Sequence, residues 1–526
     1  MARILVSDPI AAEGIEILKQ AGQVDVKTGM PKEDLIACIG EYDALAVRSE
    51  TKVTADVLEA AKNLKIIGRA GVGVDNIDVP TATQKGVIVV NSPEGNTIAA
   101  AELTMALLLS LSRNIPQACS SVRSGEWKRS KFVGTEVYKK TLGVVGLGKI
   151  GREVAKRAQA FGMTVVAYDP FLTAESAKKM GVEIVKLNDL LKMSDYITLH
   201  LPLNKDTRHL ISTKELAMMK DGARVINVAR GGVVDEAALA AAIEAGKIAG
   251  AAIDVYEQEP TPPENPLLKL DKTVTTPHLG ASTAEAQINV AIDIAEQIVD
   301  VLNGKPARSA VNMPAMSSEA LAQVEPYLAL AERMGTLLTQ TTDSAITCLE
   351  ITYCGDLAEM ETGPITRAAL VGLLRPILSE SVNFVNAPLQ AEQRGIQVVE
   401  SRSTSSGDYT SLISIDAQTE DGTRQISGAL FGKKDIRIVS IDGYRIDVAP
   451  VGTMLVAPHI DKPGIIGQVG TLLGNRRINI AGMHVGRQSV GKRAIMALNV
   501  DDIIPADVMA EIVGIDGIES AKQVQF

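Results

Sequence analysis

At 526 residues the chain is too long for a single hydrophobic core, and three or four domains are expected. A formal net charge of −10 argues against nucleic acid or an anionic membrane as the main partner, while 46 % hydrophobic and 22 % charged residues suit a folded, water-exposed protein. The four cysteines show neither CxxC spacing nor a disulfide framework, no residue is assigned to a metal, and residues 1–10 read as a strand rather than a signal peptide, which points to the cytoplasm.

Residues 4–7, 44–47, 65–68 and 87–90 are short β-rich runs alternating with helical segments, the pattern of an α/β unit with its own sheet. Arg48 and Ser49 follow the second run. After the third comes Arg69-Ala-Gly71-Val72-Gly73-Val-Asp75, a glycine-rich turn able to form an anion nest or to serve simply as a turn. A helix over 97–111 comes next; Glu102 interrupts its apolar stretch, which is too short to span a bilayer. Lys128, Arg129 and Lys131 then form a local basic run in an acidic chain.

The strand 142–145 leads into Gly146-Leu-Gly148-Lys149-Ile150-Gly151, and a second strand, 164–167, leads to Asp169, 23 residues past Gly146. Gly146 permits a tight turn, Gly148 lets the backbone approach a pyrophosphate, and Gly151 lets the helix pack on the sheet with its N-terminus toward negative charge. Asp169 can accept hydrogen bonds from both adenosine ribose hydroxyls and repels a 2′-phosphate. With Pro170, Phe171 and Leu172 following, and no arginine, NAD is favoured over NADP.

Further strands at 196–200, 224–227, 250–254 and 274–275 complete a doubly wound parallel sheet, whose ligands gather at the C-terminal strand ends. Arg230, Glu259 and His278 follow successive strands and converge there. Arg230 offers a fork of donors to a carboxylate or carbonyl oxygen, His278 exchanges a proton near neutral pH, and Glu259 orients it. That set reduces a carbonyl, or oxidises the alcohol in reverse.

A helix over 282–302 ends at Asn303-Gly304-Lys305-Pro306, and the run 310–318 reads as a crossing to another module. Residues 320–450 combine a helix over 326–338 with β-like runs at 345–353 and 409–416, without a catalytic constellation. From 453 onward the pattern is βαββαβ, with strands at 453–459, 478–480 and 493–500 and a last one near 521. This is expected to be a regulatory or oligomerising module.

The glycine loop, Asn227-Val-Ala229-Arg-Gly-Gly, Asp254-Val-Tyr-Glu-Gln-Glu-Pro and Pro277-His-Leu-Gly resemble the D-isomer-specific 2-hydroxyacid dehydrogenases over roughly residues 1–310. The whole architecture is similar to the long-form D-3-phosphoglycerate dehydrogenases. The resemblance implies α/β architecture: two doubly wound parallel-sheet catalytic domains, an α+β intervening domain and a C-terminal ferredoxin-like ACT domain. It divides the chain into a substrate-binding domain (1–97 and 283–310), an NAD-binding domain (98–282), the intervening domain (311–450) and the ACT domain (451–526).

It further implies NAD-dependent oxidation of 3-phospho-D-glycerate to 3-phosphooxypyruvate, the first step of phosphorylated L-serine synthesis, with side reduction of 2-oxoglutarate. His278 becomes the acid/base, Glu259 its support, and Arg230 the anchor of the 2-oxo acid. NAD contacts fall on Gly146, Gly148, Lys149, Ile150, Gly151, Asp169, Thr207, Ala229, Asp254 and His278. Substrate contacts fall on Arg48, Ser49, Gly71, Val72, Gly73 and Asn96, with the phosphate assigned to Arg48, or else Lys128 or Arg129. In the ACT module His459, Asp461 and Asn479 are the candidate contacts for L-serine between adjoining copies, although bacterial short-form relatives usually carry asparagine at the position of Asp461. A homo-oligomer, dimer or tetramer, is implied. Hydroxypyruvate or glyoxylate reduction, and a non-catalytic NAD sensor, are the competing functions.

Overall fold

Runs of Val, Ile, Leu and Ala become the cores of two parallel sheets in this computed structural model, which describes every residue except 315–317, 379–381, 433 and 488. The first sheet contains β1 (Ala2–Val6), β2 (Gly22–Val26), β3 (Ala44–Val47), β4 (Ile66–Arg69) and β5 (Ile88–Asn91) in the order β2-β1-β3-β4-β5. The second contains β6 (Thr141–Val145), β7 (Thr164–Tyr168), β8 (Glu183–Ile184), β9 (Tyr196–Leu199), β10 (Ala223–Asn227), β11 (Ile248–Ile253) and β12 (Thr273–Thr275), ordered β12-β11-β10-β9-β6-β7-β8. Every pairing in both is parallel. Every residue of β3 and β9 is buried, because helices cover both faces of the sheet. The order reverses beside β1 in one sheet and beside β6 in the other, opening a crevice at the C-terminal strand ends.

Two long helices tie these sheets together. The helix Thr97–Arg113 leaves the first sheet and buries Ala101, Met105, Leu108 and Leu111 against Leu142, Val144 and Ala252 of the second. The helix Ala284–Leu302, capped by Thr283, returns: Val290, Ile294 and Ile298 pack on Ile4, Val6, Ala44 and Ile66. A Cβ at Gly14 would lie 2.7 Å from the Ala291 carbonyl, so only glycine allows the helix Ala12–Leu18 to lie so close. Beyond the returning helix, Ala310 bridges Val90 antiparallel and the Val311 N–H donates to Val89 O at 2.7 Å, extending the first sheet past β5. The crossing expected at 310–318 continues through 315–317, which lie outside the described residues.

The third sheet contains β13 (Ile346–Gly355), β14 (Gln397–Ser403), β15 (Ser411–Thr419), β16 (Gly422–Phe431), β17 (Asp435–Ile441) and β18 (Tyr444–Val448), ordered β14-β13-β15-β16-β17-β18 and antiparallel except for β13–β14. The helix expected over 326–338 runs longer, Ser318–Thr341, with Pro326 inside it. The fourth sheet, β20-β21-β19-β22, is antiparallel and is formed by β19 (Thr453–Ile460), β20 (Ile480–Arg487), β21 (Arg493–Val500) and β22 (Lys522–Gln525). Alternate residues of β19 serve two cores: Leu455 and Ala457 face the unit's own helices, while Met454 and Val456 join Leu330 and Met334 of the preceding unit. No single helix among the described residues is long and apolar enough to cross a membrane.

Candidate active site

The crevice between the parallel sheets encloses about 1140 Å³. Arg48, Ser49, Arg69, Gly71, Val72, Gly73 and Asn96 line it from the first sheet; Ile150, Ala229, Arg230, Glu259 and His278 line it from the second.

At its second-sheet side the glycine loop fits a dinucleotide. Gly146 has φ +93°, and a Cβ there would sit 2.5 Å from His200 O; one at Gly151 would sit 2.1 Å from Gly146 O. At Gly148 a Cβ would meet nothing within 4 Å, so this glycine leaves an open approach to the backbone at the start of the helix Lys149–Ala160. Asp169, just past β7, accepts from Leu147 N and Phe171 N, each at 2.9 Å, which fixes a carboxylate beside the loop.

A His–Glu pair is assembled from the ends of β11 and β12. His278 Nδ1 lies 2.7 Å from Glu259 Oε2, and Tyr256 N donates to Glu259 Oε1 at 2.9 Å. His278 takes a left-handed conformation, φ +54°, and its N–H donates to Asp254 O at 2.8 Å. The buried Asp254 carboxylate shapes this turn by accepting from Thr276 Oγ1 (2.6 Å), Leu279 N (2.8 Å) and Gly280 N (2.9 Å). Burial raises the Asp254 carboxyl, against those hydrogen bonds. Burial also pushes Glu259 up, but the bonds from His278 and Tyr256 N, with the nearby charges of His278 and Arg230, outweigh it and hold Glu259 below the ordinary glutamate range. The Nε2 edge of His278 has no hydrogen-bond partner among the described residues.

Three guanidinium groups face this pair. Arg230 follows a turn pinned by Asn227, whose side chain accepts from Ala229 N (3.1 Å) and donates to Arg230 O (2.9 Å). Arg230 Nε reaches across the crevice to Asp75 Oδ2 at 3.2 Å. Arg69 is largely buried, and its Nε has no partner among the described residues. Burial, then the neighbouring Arg230 and Arg48, bring Arg69 down to about 10, so it stays a cation at neutral pH. Arg48 is carried on a loop with two supports that no local sequence pattern marks. Buried Asp8 accepts from the N–H groups of Arg48 (2.6 Å), Glu50 (3.2 Å) and Thr51 (3.0 Å), and Asn76 donates to the carbonyls of Arg48 (3.0 Å) and Thr51 (2.7 Å). The position of Asp8 two residues past β1, at a C-terminal strand end, is its only signal in the sequence. Asn96 Oδ1 is likewise buried without a partner among the described residues.

Other expected residues lie apart from the crevice lining. Lys149 pairs with Glu94 at 2.6 Å. Thr207 is occupied in its own turn, donating to Pro202 O (2.6 Å) and accepting from Asn204 N (2.8 Å). Lys128 pairs with Glu126 at 2.7 Å, and the basic run around it does not reach the crevice of its own chain. In the fourth sheet Asp461 sits beside Lys492 and Asn479 beside Asp501, at opposite ends of β21, and Asn479 Nδ2 donates to Asp501 Oδ2 at 2.8 Å. His459 is buried. One copy therefore does not bring Asp461 and Asn479 to a common ligand.

Comparison with known proteins covers each part of this architecture. The family description "D-isomer specific 2-hydroxyacid dehydrogenase, NAD binding domain" matches residues 105–280, "D-3-phosphoglycerate dehydrogenase intervening domain" matches 323–442, and "ACT domain" matches 453–517. The chain is 51 % identical over 527 residues to the D-3-phosphoglycerate dehydrogenase of Synechocystis sp., covering 100 % of this chain and 95 % of that one. It is 49 % identical to the protein of the same description from Methanocaldococcus jannaschii, covering 100 % of both. Among solved structures, D-lactate dehydrogenase from Aquifex aeolicus complexed with NAD and lactic acid superposes with a TM-score of 0.53 at 28 % identity, covering 60 % of this chain and 100 % of that one.

Proposed function

Since the chain belongs to the long-form D-3-phosphoglycerate dehydrogenases of the D-isomer-specific 2-hydroxyacid dehydrogenase family, and is thus an NAD-dependent dehydrogenase, we propose that it oxidises 3-phospho-D-glycerate to 3-phosphooxypyruvate. The observation that supports this reading best is the 2.7 Å Glu259–His278 pair with Arg230 on its own side of the crevice and Arg48 and Arg69 on the other. Gly146, Gly148, Gly151 and Asp169 would hold NAD, which would supply the hydride acceptor for substrate C2.

The chain's own groups do the rest. His278 Nε2 takes the proton of the C2 hydroxyl, and the imidazolium that results is held by Glu259, whose depressed pKa keeps it ionised. Arg230 holds the substrate carboxylate and the C2 oxygen, aided by the N–H groups of Val72 and Gly73. Arg48 takes the phosphate, with Arg69 beside it; a carboxylate alone leaves this much positive charge without a function. Gly146, Gly148, Ile150, Gly151, Asp169 and Ala229 serve the cofactor, and Asp254 acts mainly by shaping the His278 turn. The substrate-binding domain is then 1–97 with 283–310, the cofactor domain 98–282, the intervening domain 311–450 and the ACT domain 451–526.

Initial rates across phosphorylated and unphosphorylated D-2-hydroxy acids test this. 3-Phospho-D-glycerate is expected to exceed D-lactate in kcat/KM by roughly tenfold to hundredfold, the worth of one or two charge-assisted hydrogen bonds. Equal rates would reject the phosphate assignment and favour a hydroxypyruvate or glyoxylate reductase. Binding of NAD without turnover of any substrate would favour a sensor.

The ACT match supports an amino-acid effector as well, which we read as L-serine. Because Asp461 and Asn479 lie at opposite ends of one sheet, the ligand is read as bridging two copies of the chain, in a homo-oligomer. Calorimetry at millimolar L-serine tests this; neither heat nor altered kinetics would reject it.

A further inference from the structure

The turn after β4 is held in one orientation by Asn91, the last residue of β5, and Ser92, which follows it. Ser92 N donates to Gly71 O at 2.9 Å, and Asn91 Nδ2 donates to Val72 O at 2.5 Å. In a trans peptide the N–H points opposite to the C=O. Fixing these two carbonyls therefore turns the N–H groups of Val72 and Gly73 the other way, and neither has a partner among the described residues. Gly73 packs tightly against Arg230, whose Nη2 would lie 2.0 Å from a Cβ placed there. Peptide donors and guanidinium thus converge on one point of the crevice.

The backbone of Asn91 is itself fixed. Its carbonyl accepts from Gln297 Nε2 (3.1 Å) and Ser309 Oγ (2.6 Å), and its N–H donates to Ser309 O at 3.4 Å. Asn91 lines the crevice, yet its amide is spent on the Val72 carbonyl. We propose that Asn91 is a positioning residue for the reaction: its side-chain amide sets the Val72–Gly73 peptide so that the Gly73 N–H meets the substrate carboxylate. This rests on the reading of Gly71–Gly73 as the carboxylate-binding turn.

The full-length enzyme with NAD and a D-2-hydroxy acid tests the role through Asn91→Ala and Asn91→Leu, the second keeping the side-chain volume without a hydrogen bond. Both are expected to raise the substrate KM by about tenfold, the loss of one hydrogen bond, with kcat, NAD affinity and melting temperature little changed. A merely structural role would lower the melting temperature and the active fraction and leave KM alone. An unchanged KM, or a KM raised by alanine and restored by leucine, overturns the proposal. Arg230→Gln separates the two levels. If it raises KM while the Asn91 variants do not, only the positioning role falls; if it too leaves KM unchanged, the reading of the crevice falls and takes the proposal with it.

Discussion

Between the two parallel sheets the facing surfaces carry Arg48, Arg69, Arg230, Asn96, Glu259 and His278, whereas between the third and fourth sheets they carry Leu330, Met334, Met454, Val456, Ile495 and Val524. The contrast follows from strand direction. A parallel sheet ends all its strands at one edge and spends both faces on its own helices, so the meeting of two such sheets is made of loops, turns and polar side chains. An antiparallel sheet with helices on one face has a second apolar face to cover, and the fourth sheet covers it with the unit before it. One seam leaves buried polar atoms such as Arg69 Nε and Asn96 Oδ1 for a ligand to satisfy; the other leaves none of its core residues exposed.

Substitutions at each seam should therefore separate activity from stability. The largest effect is expected for His278→Gln, a loss of turnover of about 10²- to 10⁴-fold from removing the acid/base, with NAD affinity and melting temperature retained. A matching fall in stability would mean that the first seam is also a structural core. At the second seam, Leu330→Ala is expected to cost about 2–5 kcal/mol in denaturant unfolding, with NAD affinity unchanged. A cost under about 1 kcal/mol would show that the two cores are not fused. The smallest effect is the pH dependence of Glu259. Its folded pKa is depressed, so the stability it contributes is present above the unfolded value near 4.3 and is lost as pH falls through the lower folded value. The stability difference between the parent and Glu259→Gln should shrink in that acidic window; a difference that is flat or grows toward acid would reverse the sign.

The catalytic half was readable wherever chemistry and apolar pattern coincide. Gly146, Gly148 and Gly151 stand between two buried strands, Arg230 and Glu259 each follow a strand in which all residues but one are buried, and His278 follows the short β12, where Val274 alone is buried. The βαββαβ order of the last unit was readable for the same reason. β2, Gly-Gln-Val-Asp-Val, was not, because an edge strand with polar residues at alternate positions lacks a buried run, and β8 has only two residues. Most of the third sheet was missed too: along β14 every residue is half-buried or exposed, so no apolar run marks it. The supports of the site, Asp8, Asn76 and Asn91, were illegible for another reason. Each acts through hydrogen bonds to backbone groups 19 to 43 residues away, which leave no local pattern.

The return of the helix Ala284–Leu302 to the first sheet bears on how the chain is made. A nascent chain emerges N-terminal end first. All seven strands of the second sheet, and the helix Thr97–Arg113 that covers it, precede residue 284 and can fold as they appear. The first sheet, although its strands are synthesised earliest, waits with Ile4, Val6, Ala44 and Ile66 uncovered until Val290, Ile294 and Ile298 arrive. The half built on the first sheet is therefore expected to be the last of the pair to close, and a chain stopped before residue 284 should hold cofactor while exposing a sticky, unfinished partner.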